Sequence, residues 1–334
     1  MTKNNVRSMN MIETQELRKV FQTRQGKGRK AQTVEAVKGI DLQIYPGEIF
    51  GFLGPNGAGK TTTLRMLSTL IRPTSRRAVI AGYDLLMEAA QVRKHIGYVS
   101  QAGGTDATAT AWENLMLQAQ LYGMSRIDAE TRAKELITAL ELEPFADRVA
   151  RTYSGGQRRR LDLALGMVHR PRLLFLDEPT TGLDPQSQAR LWEEVRKLQE
   201  DGTTVFLTTH YLEEADVLAD RLAIIDDGRI VAEGTSQSLK QQIAGDVVTL
   251  GLETSNGQLQ QAQAVLRPQP FVRELHPGDG QLQLYVERGD ESLPAILRIL
   301  DEAGMRVRTV VLARPTLDDV FLRQTGRSLR EADA

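Results

Sequence analysis

Eight consecutive residues, Gly54-Pro55-Asn56-Gly57-Ala58-Gly59-Lys60-Thr61, fit the pattern G-x-x-x-x-G-K-[ST], in which a glycine-rich loop cradles phosphate. The glycines let successive backbone N–H groups turn inward, and the helix that follows adds the positive end of its dipole. Lys60 then reaches the β- and γ-phosphates of a triphosphate, and the Thr61 hydroxyl can ligate Mg²⁺. Thr62 opens the helix-like stretch that continues to Leu70. Further on, the apolar run Leu173-Leu174-Phe175-Leu176 ends in Asp177-Glu178. Downstream of a phosphate loop the first carboxylate is the expected Mg²⁺ partner, and the second is placed to orient or deprotonate a water. Without that loop, Asp-Glu-Pro after a strand would read as a turn or helix start.

A second anion site is suggested by Tyr153-Ser154-Gly155-Gly156-Gln157 ahead of a helix-like stretch, Arg158 to Val168, with Leu161, Leu165 and Val168 on one face. Ser154 reads as an N-cap, and two glycines expose the first N–H groups. By themselves these residues are a cap and nothing more. Gln101 follows a short strand and His210 ends the run Thr204 to Thr209; in isolation one is a surface glutamine and the other a hydrogen-bonded histidine. Trp112 and Tyr122 read as helix-packing residues, and Asp318 and Asp319, ahead of Val-Phe-Leu, as caps of a terminal helix.

Such residues need a scaffold that brings them to one edge. From Glu48 to about Ile225, short apolar runs alternate with helical patterns, which is the mark of an α/β fold with a helix-covered parallel sheet. Ile49–Leu53, Ile96–Val99, Leu173–Leu176 and Val205–Leu207 read as buried strands, their C-terminal ends facing a shared site. Between Gln101 and Arg151 strand patterns vanish, and Trp112–Tyr122 and Asp128–Leu140 predict a helical insertion spanning about 102–160. The polar stretch Gly234 to Lys240 predicts a boundary, giving domains 1–240 and 241–334. In the second, strand-like 247–252, 271–275, 282–286 and 307–312 and helix-like 259–266 and 293–300 give β-α-β-β-α-β, a small α+β (ferredoxin-like) unit. It shows no metal cluster or nucleophile arrangement, since His276 stands alone among prolines and glycines.

The chain has 334 residues, enough for two domains with a sizeable core. Lys plus Arg total 42 against 43 Asp plus Glu, a net charge of −1, so no global field favours nucleic acid or an anionic membrane. Cysteine is absent, which excludes disulfides, thiolate metal sites and a cysteine nucleophile. The polar N-terminus lacks the apolar stretch of a secretory signal, and no window reaches the roughly 18 to 20 apolar residues of a membrane span. If the protein serves a membrane process, another chain provides the spans.

The order of the phosphate loop, Gln101, Ser154-Gly155-Gly156-Gln157, Asp177-Glu178, Gly182-Leu183-Asp184 and His210 resembles the nucleotide-binding subunit of ATP-binding cassette (ABC) transporters, over roughly residues 12–240. Tyr153, Arg158-Arg159-Arg160 and the closing Arg314-Pro315-Thr316-Leu317-Asp318-Asp319-Val320-Phe321-Leu322 resemble the daunorubicin/doxorubicin-resistance type of exporter ATPase. The resemblance implies ATP and Mg²⁺ as cofactors and a P-loop NTPase of the ABC type. In that frame Lys60, Thr61 and Thr62 serve phosphate and metal, Asp177 holds Mg²⁺, Gln101 reaches metal or water, Glu178 acts on water, and His210 clamps the γ-phosphate. Ser154 and Gly156 bind the γ-phosphate of the ATP held by the opposite subunit, so that two sites form when a homodimer closes head to tail, and Gly155, Gln157 and Asp184 are further nucleotide contacts. Phe21 is either the aromatic that stacks on adenine or, beside Leu17 and Val20, a core residue. An integral-membrane permease on a separate chain and a place at the cytoplasmic face of the membrane are also implied, with no nucleic-acid partner.

Three departures stand out from the family pattern. Arg76 replaces a glycine after Pro-Thr-Ser, the stretch Gln22 to Thr33 with its basic tip Lys27-Gly28-Arg29-Lys30 is long, and Gln101 is followed by a polar, flexible-looking Ala-Gly-Gly-Thr-Asp. The rival readings are a soluble ABC ATPase, a P-loop GTPase and a small-molecule kinase. A single phosphate loop and the absence of long heptads argue against the first, the lack of Asn-Lys-x-Asp against the second, and the Ser-Gly-Gly-Gln segment against the third.

Overall fold

The computed structural model describes residues 10–23, 32–243, 245–252, 256–277, 281–327 and 329; the basic tip at 27–30 lies outside them. β1 (Ile12–Thr23) and β2 (Gln32–Ile44) form a long antiparallel pair. β3 (Ile49–Leu53) and α1 (Lys60–Leu67) follow, then β4 (Ser75–Ile80) and β5 (Tyr83–Asp84). Together these make a four-stranded sheet ordered β2-β1-β4-β5, with Arg76 inside β4. Next come α2 (Ala89–His95), β6 (Ile96–Val99), α3 (Ala111–Leu121), α4 (Arg126–Ala139) and α5 (Gly155–Met167). β7 (Leu173–Asp177), α6 (Pro185–Glu200), β8 (Thr204–Thr209), α7 (Leu212–Leu218), β9 (Arg221–Asp226) and β10 (Arg229–Gly234) complete a six-stranded sheet ordered β10-β9-β3-β8-β7-β6. Only the β9–β10 pair within it is antiparallel.

The buried strands expected from their apolar runs are where they should be: every residue of β3, β7 and β8 is buried, as strands covered on both faces require. Phe50, Phe52 and Phe175 each pack on Phe206, with ring centroids 5.5 to 5.9 Å apart. The register sets Leu53 beside Thr209 and Asp177 beside Thr208. That alignment brings Gly54, Glu178 and His210 to a single sheet edge.

The antiparallel sheet does not declare itself in the sequence. Register shifts between Thr14 and Leu17 and between Lys19 and Val20, with Glu16 at φ +51°, break the two-residue alternation by which a half-buried strand is read.

The helical insertion is present, with its starts fixed by caps rather than by the apolar pattern. Thr110 and Glu113 close a capping box ahead of α3, and Ser125 caps α4, so both helices begin a residue or two before the expected positions. Trp112 packs against the insertion's core. Tyr122 instead stacks on His169, ring centroids 3.8 Å apart.

The chain divides into two compact units, the first ending at Thr235 but also taking in Leu329, the second beginning at Ser236. The expected break at 240 lies within α8 (Ser236–Gln242), whose Leu239 is buried; its Ser-rich start had the look of a linker. The second unit continues β11 (Asp246–Leu252), α9 (Asn256–Leu266), β12 (Val272–Pro277), β13 (Gln281–Val286), α10 (Gly289–Glu302), β14 (Val307–Ala313) and α11 (Leu317–Thr325). Its antiparallel sheet runs β12-β13-β11-β14, the strand order of a ferredoxin-like unit. Thr316 is the N-cap of α11 and Asp319 closes the capping box with it, as expected of one of the two aspartates: the Asp319 N–H donates to the Thr316 hydroxyl, and the Asp319 carboxylate accepts from the Thr316 N–H. Asp318 makes no part of that box. His276 stands 3.4 Å from Glu274 and edge-on to Tyr285.

Candidate nucleotide-binding site

The loop between β3 and α1 owes its glycines to close packing as much as to phosphate. A Cβ on Gly54 would stand 2.2 Å from the Ile225 carbonyl oxygen, and one on Gly59, at φ +107°, 2.7 Å from that of Ala36. Gly57 turns the tip at φ +81° with open space around it. Asn56 and Gly57 are exposed, while Pro55 and Ala58 are buried. Lys60 curls back beneath the loop, its Nζ donating to the carbonyl oxygens of Gly54 at 2.6 Å and Pro55 at 3.1 Å. Thr62 is half-buried on the first turn of α1.

Both carboxylates lie against this loop. Asp177 is buried, and its Oδ1 accepts from the Thr61 hydroxyl at 3.1 Å and the Thr208 hydroxyl at 2.8 Å. Glu178 adopts φ +44°, uncommon for a residue with a side chain, and its N–H is fixed by the carbonyl and hydroxyl of Thr208. Its Oε1 is 3.5 Å from Lys60 Nζ, and its Oε2 accepts from Gln101 Nε2 at 2.9 Å. His210 Nδ1 stands 3.4 Å from the same Oε2, within ion-pair reach but without a well-aligned hydrogen bond. His210 foremost, and then Lys60, hold the Glu178 carboxyl below the usual carboxylate range against the opposing effect of burial. Lys60, Gln101 and His210, read separately from the sequence, thus converge on one carboxylate.

Four residues of this site went unread in the sequence. Thr208 ties Asp177 to the backbone of Glu178, and the Tyr98 hydroxyl lies 3.5 Å from Asp177 Oδ2. Arg159, buried on α5, donates to the carbonyl oxygens of Ser100, Asp177 and Pro179 at 2.6, 3.2 and 2.7 Å. Burial pushes its guanidinium down from its ordinary value, with Asp162 the first of the opposing carboxylates. Asp162, one turn further, accepts from the N–H groups of Gly104 and Thr105 and from the Thr105 hydroxyl, at 2.7 to 3.0 Å. The segment after Gln101 is therefore pinned and not loose, which corrects the expectation drawn from its composition. Ser100 adds a hydroxyl bond to the Gly103 carbonyl.

The Ser154 turn is built by its own local contacts. Ser154 caps α5 in a reciprocal box with Gln157; Ser154 and Gly155 are exposed. Gly156 faces α6, where a Cβ would meet Ser187 Oγ at 2.6 Å. Asp184 is the N-cap of α6, and both its carboxylate oxygens are engaged by Ser187. Phe21 is 40% exposed on β1, with Lys19 Nζ 5.0 Å from its ring centroid; it is not a core residue.

A phosphate loop, a strand-end acidic pair and a helical insertion ending in a serine-capped helix that opens on two glycines define a P-loop nucleotide-binding cassette. The "ABC transporter" family model matches residues 37–181, and that of the "ATP-binding protein DrrA1-3-like, C-terminal domain" matches 234–325. The daunorubicin resistance ATP-binding protein DrrA3 of Streptomyces coeruleorubidus is 44% identical over 90% of this chain and 94% of its own. The daunorubicin/doxorubicin resistance ATP-binding protein DrrA of Streptomyces peucetius is 43% identical over 89% and 91%. The linearmycin resistance ATP-binding protein LnrL of Bacillus subtilis (strain 168) is 35% identical over 88% and 95%. Among solved structures, a dimeric ATP-binding cassette in a post-hydrolysis state with ADP and phosphate matches with a TM-score of 0.60 and 28% identity, covering 67% of this chain and 98% of that one. The chain belongs to the ATP-binding proteins of the ABC transporter family, and its enzyme class is an ATPase coupled to transport. Among the described residues no helix is long and apolar enough to cross a membrane.

Proposed function

We propose that this chain hydrolyses ATP at the edge of β3, β7 and β8 as the motor subunit of an exporter, with the membrane spans on a separate chain. The observation that carries the reading is the convergence of Lys60, Gln101 and His210 on Glu178, beside the Thr61–Asp177 pair. In phosphoryl transfer, charge spreads over the equatorial oxygens, so catalysis is mostly placed cations, N–H groups and a water-directing residue. The loop N–H groups and Lys60 bind the β- and γ-phosphates. Glu178, held ionised, accepts a proton from the attacking water or orients it, while Gln101 and His210 fix the carboxylate and meet the γ-phosphate. The oxygens of Thr61 and Asp177 are hard donors that fit Mg²⁺, which takes one or two carboxylates and keeps phosphate and water as its other ligands. Bound there, the ion would neutralise phosphate charge. Exposed Phe21 offers its ring to the adenine.

The exposed Ser154 turn completes the site of a second copy, so the working unit is a head-to-tail homodimer at the cytoplasmic face of the membrane. Relatives named for daunorubicin resistance, linearmycin resistance and Nod factor export support an exporter whose cargo is a drug or antibiotic. The test is Glu178→Gln in the full chain. Steady-state ATPase should fall at least about 10²-fold while ATP affinity is kept; unchanged turnover overturns the assignment of Glu178.

A further inference from the structure

We propose that Arg159 and Asp162 are positioning residues that clamp the loop 100–105 onto α5 and thereby hold the Gln101 amide against Glu178. The inference rests on the reading of Glu178 as the water-directing carboxylate, and it assigns what sets that carboxylate's partner. Arg159 and Asp162 lie one helical turn apart, on one face of α5. Both are more than nine-tenths buried, at 7% and 5% exposure.

Each takes one end of the loop. Arg159 Nη1 binds the Ser100 carbonyl just before Gln101, while its Nε and Nη2 bind the carbonyls of Pro179 and Asp177, on either side of Glu178. One planar guanidinium thus spans the backbone on both sides of the Gln101–Glu178 contact, which a lysine ammonium cannot reproduce. Asp162 gathers the far end through Gly104 and Thr105. The approach is tight: Gly103 sits at φ +80°, and a Cβ there would stand 2.7 Å from Asp162 Oδ2. A buried carboxylate with three donors is a fixed anchor, because removing it leaves two backbone N–H groups unpaired. The same helix begins at the Ser154 turn, so the clamp makes that turn and the Gln101 loop one rigid piece.

The experiment measures kcat and KM for MgATP, together with binding of a fluorescent ATP analogue, in the full chain. The variants are Asp162→Ala, Arg159→Lys, Thr105→Val, Thr105→Ser, Gln101→Ala and the double variant Gln101→Ala/Asp162→Ala. Asp162→Ala and Arg159→Lys should lower kcat about tenfold to a hundredfold, the loss expected of a catalytic group misplaced by about an ångström, with KM and analogue affinity within about twofold of wild type. Thr105→Val should lower kcat less, and Thr105→Ser should restore it. In the Gln101→Ala background, adding Asp162→Ala should cost no further kcat, because both act through one contact. Multiplying losses in that double variant, or a loss seen in KM and analogue binding instead of kcat, overturns the proposal. Where Asp162→Ala does not fold, the Thr105 pair reads the same contact. Full turnover in Glu178→Gln would instead refute the underlying site assignment, whereas an inactive Glu178→Gln beside a fully active, folded Asp162→Ala refutes the clamp alone.

Discussion

Gly156 and Ser187 meet within one chain so closely that a methyl group on Gly156 would come within 2.6 Å of the serine oxygen and 2.9 Å of its Cβ. The α5–α6 contact by itself therefore calls for glycine at this position. Gly156→Ala should lower both thermal stability and ATPase. Adding Ser187→Gly removes the oxygen and the Cβ, so the double variant should regain part of that stability by thermal melt, short of wild type because the Ser187 hydroxyl bond to Asp184 is lost and a helix glycine costs about 1 kcal/mol. Turnover should stay low if the turn also meets nucleotide; full recovery would make Gly156 a packing residue only.

Asp184 offers a similar separation. Its carboxylate caps α6 through the N–H and hydroxyl of Ser187, and an N-cap removed by alanine typically costs about 1 kcal/mol. Asp184→Ala should lose about that in urea denaturation, whereas Asp184→Asn, which can still cap, should not. If Asp184 also contacts nucleotide, Asp184→Asn will lower ATPase at unchanged stability; unaltered kinetics confine the residue to capping.

How much of this was legible in the sequence follows from where the information lies. β3 and β7 are uninterrupted apolar runs buried on both faces, and the phosphate loop is a local pattern, so both could be read directly. β1 could not, because bulges near Glu16 and Lys19 break its alternation. Arg159 and Asp162 escaped for another reason: their partners are backbone groups distant in the chain, at Ser100, Gly104, Asp177 and Pro179, and backbone groups leave no residue-type signature. The arginine run 158–160 carries the family resemblance but does not say which member is buried; the structure singles out Arg159. Asp184 was visible as part of a motif, yet its capping contact belongs to a helix start that Pro185 also marks.

The depressed pKa of Glu178 makes a pH prediction with a definite sign. The folded carboxyl titrates below its unfolded value, so its contribution to stability is present above the unfolded pKa and disappears as pH falls through the folded one. Urea denaturation of wild type and Glu178→Gln should therefore differ by a constant amount through neutral pH. The two curves should converge as pH drops below the ordinary glutamate range near about 4.3. A gap that widens on acidification would mean that Lys60 and His210 do not stabilise the ionised form.

The homodimeric site is tested most directly by complementation between two inactive chains. Ser154→Asp keeps the N-cap, since aspartate caps as well as serine, but sets a negative charge where the turn would meet phosphate. Lys60→Ala disables the phosphate loop and leaves the turn intact. Each variant alone should be folded by circular dichroism and inactive. In a mixed dimer with shared sites, the sound loop of the Ser154→Asp chain faces the sound turn of the Lys60→Ala chain, while both defects fall together in the other site. Mixing should therefore restore a measurable fraction of wild-type ATPase, rising with total protein concentration as dimers form. Sites built from a single chain would show no rescue at any ratio, because every loop would remain joined to its own damaged turn or every turn to its own damaged loop.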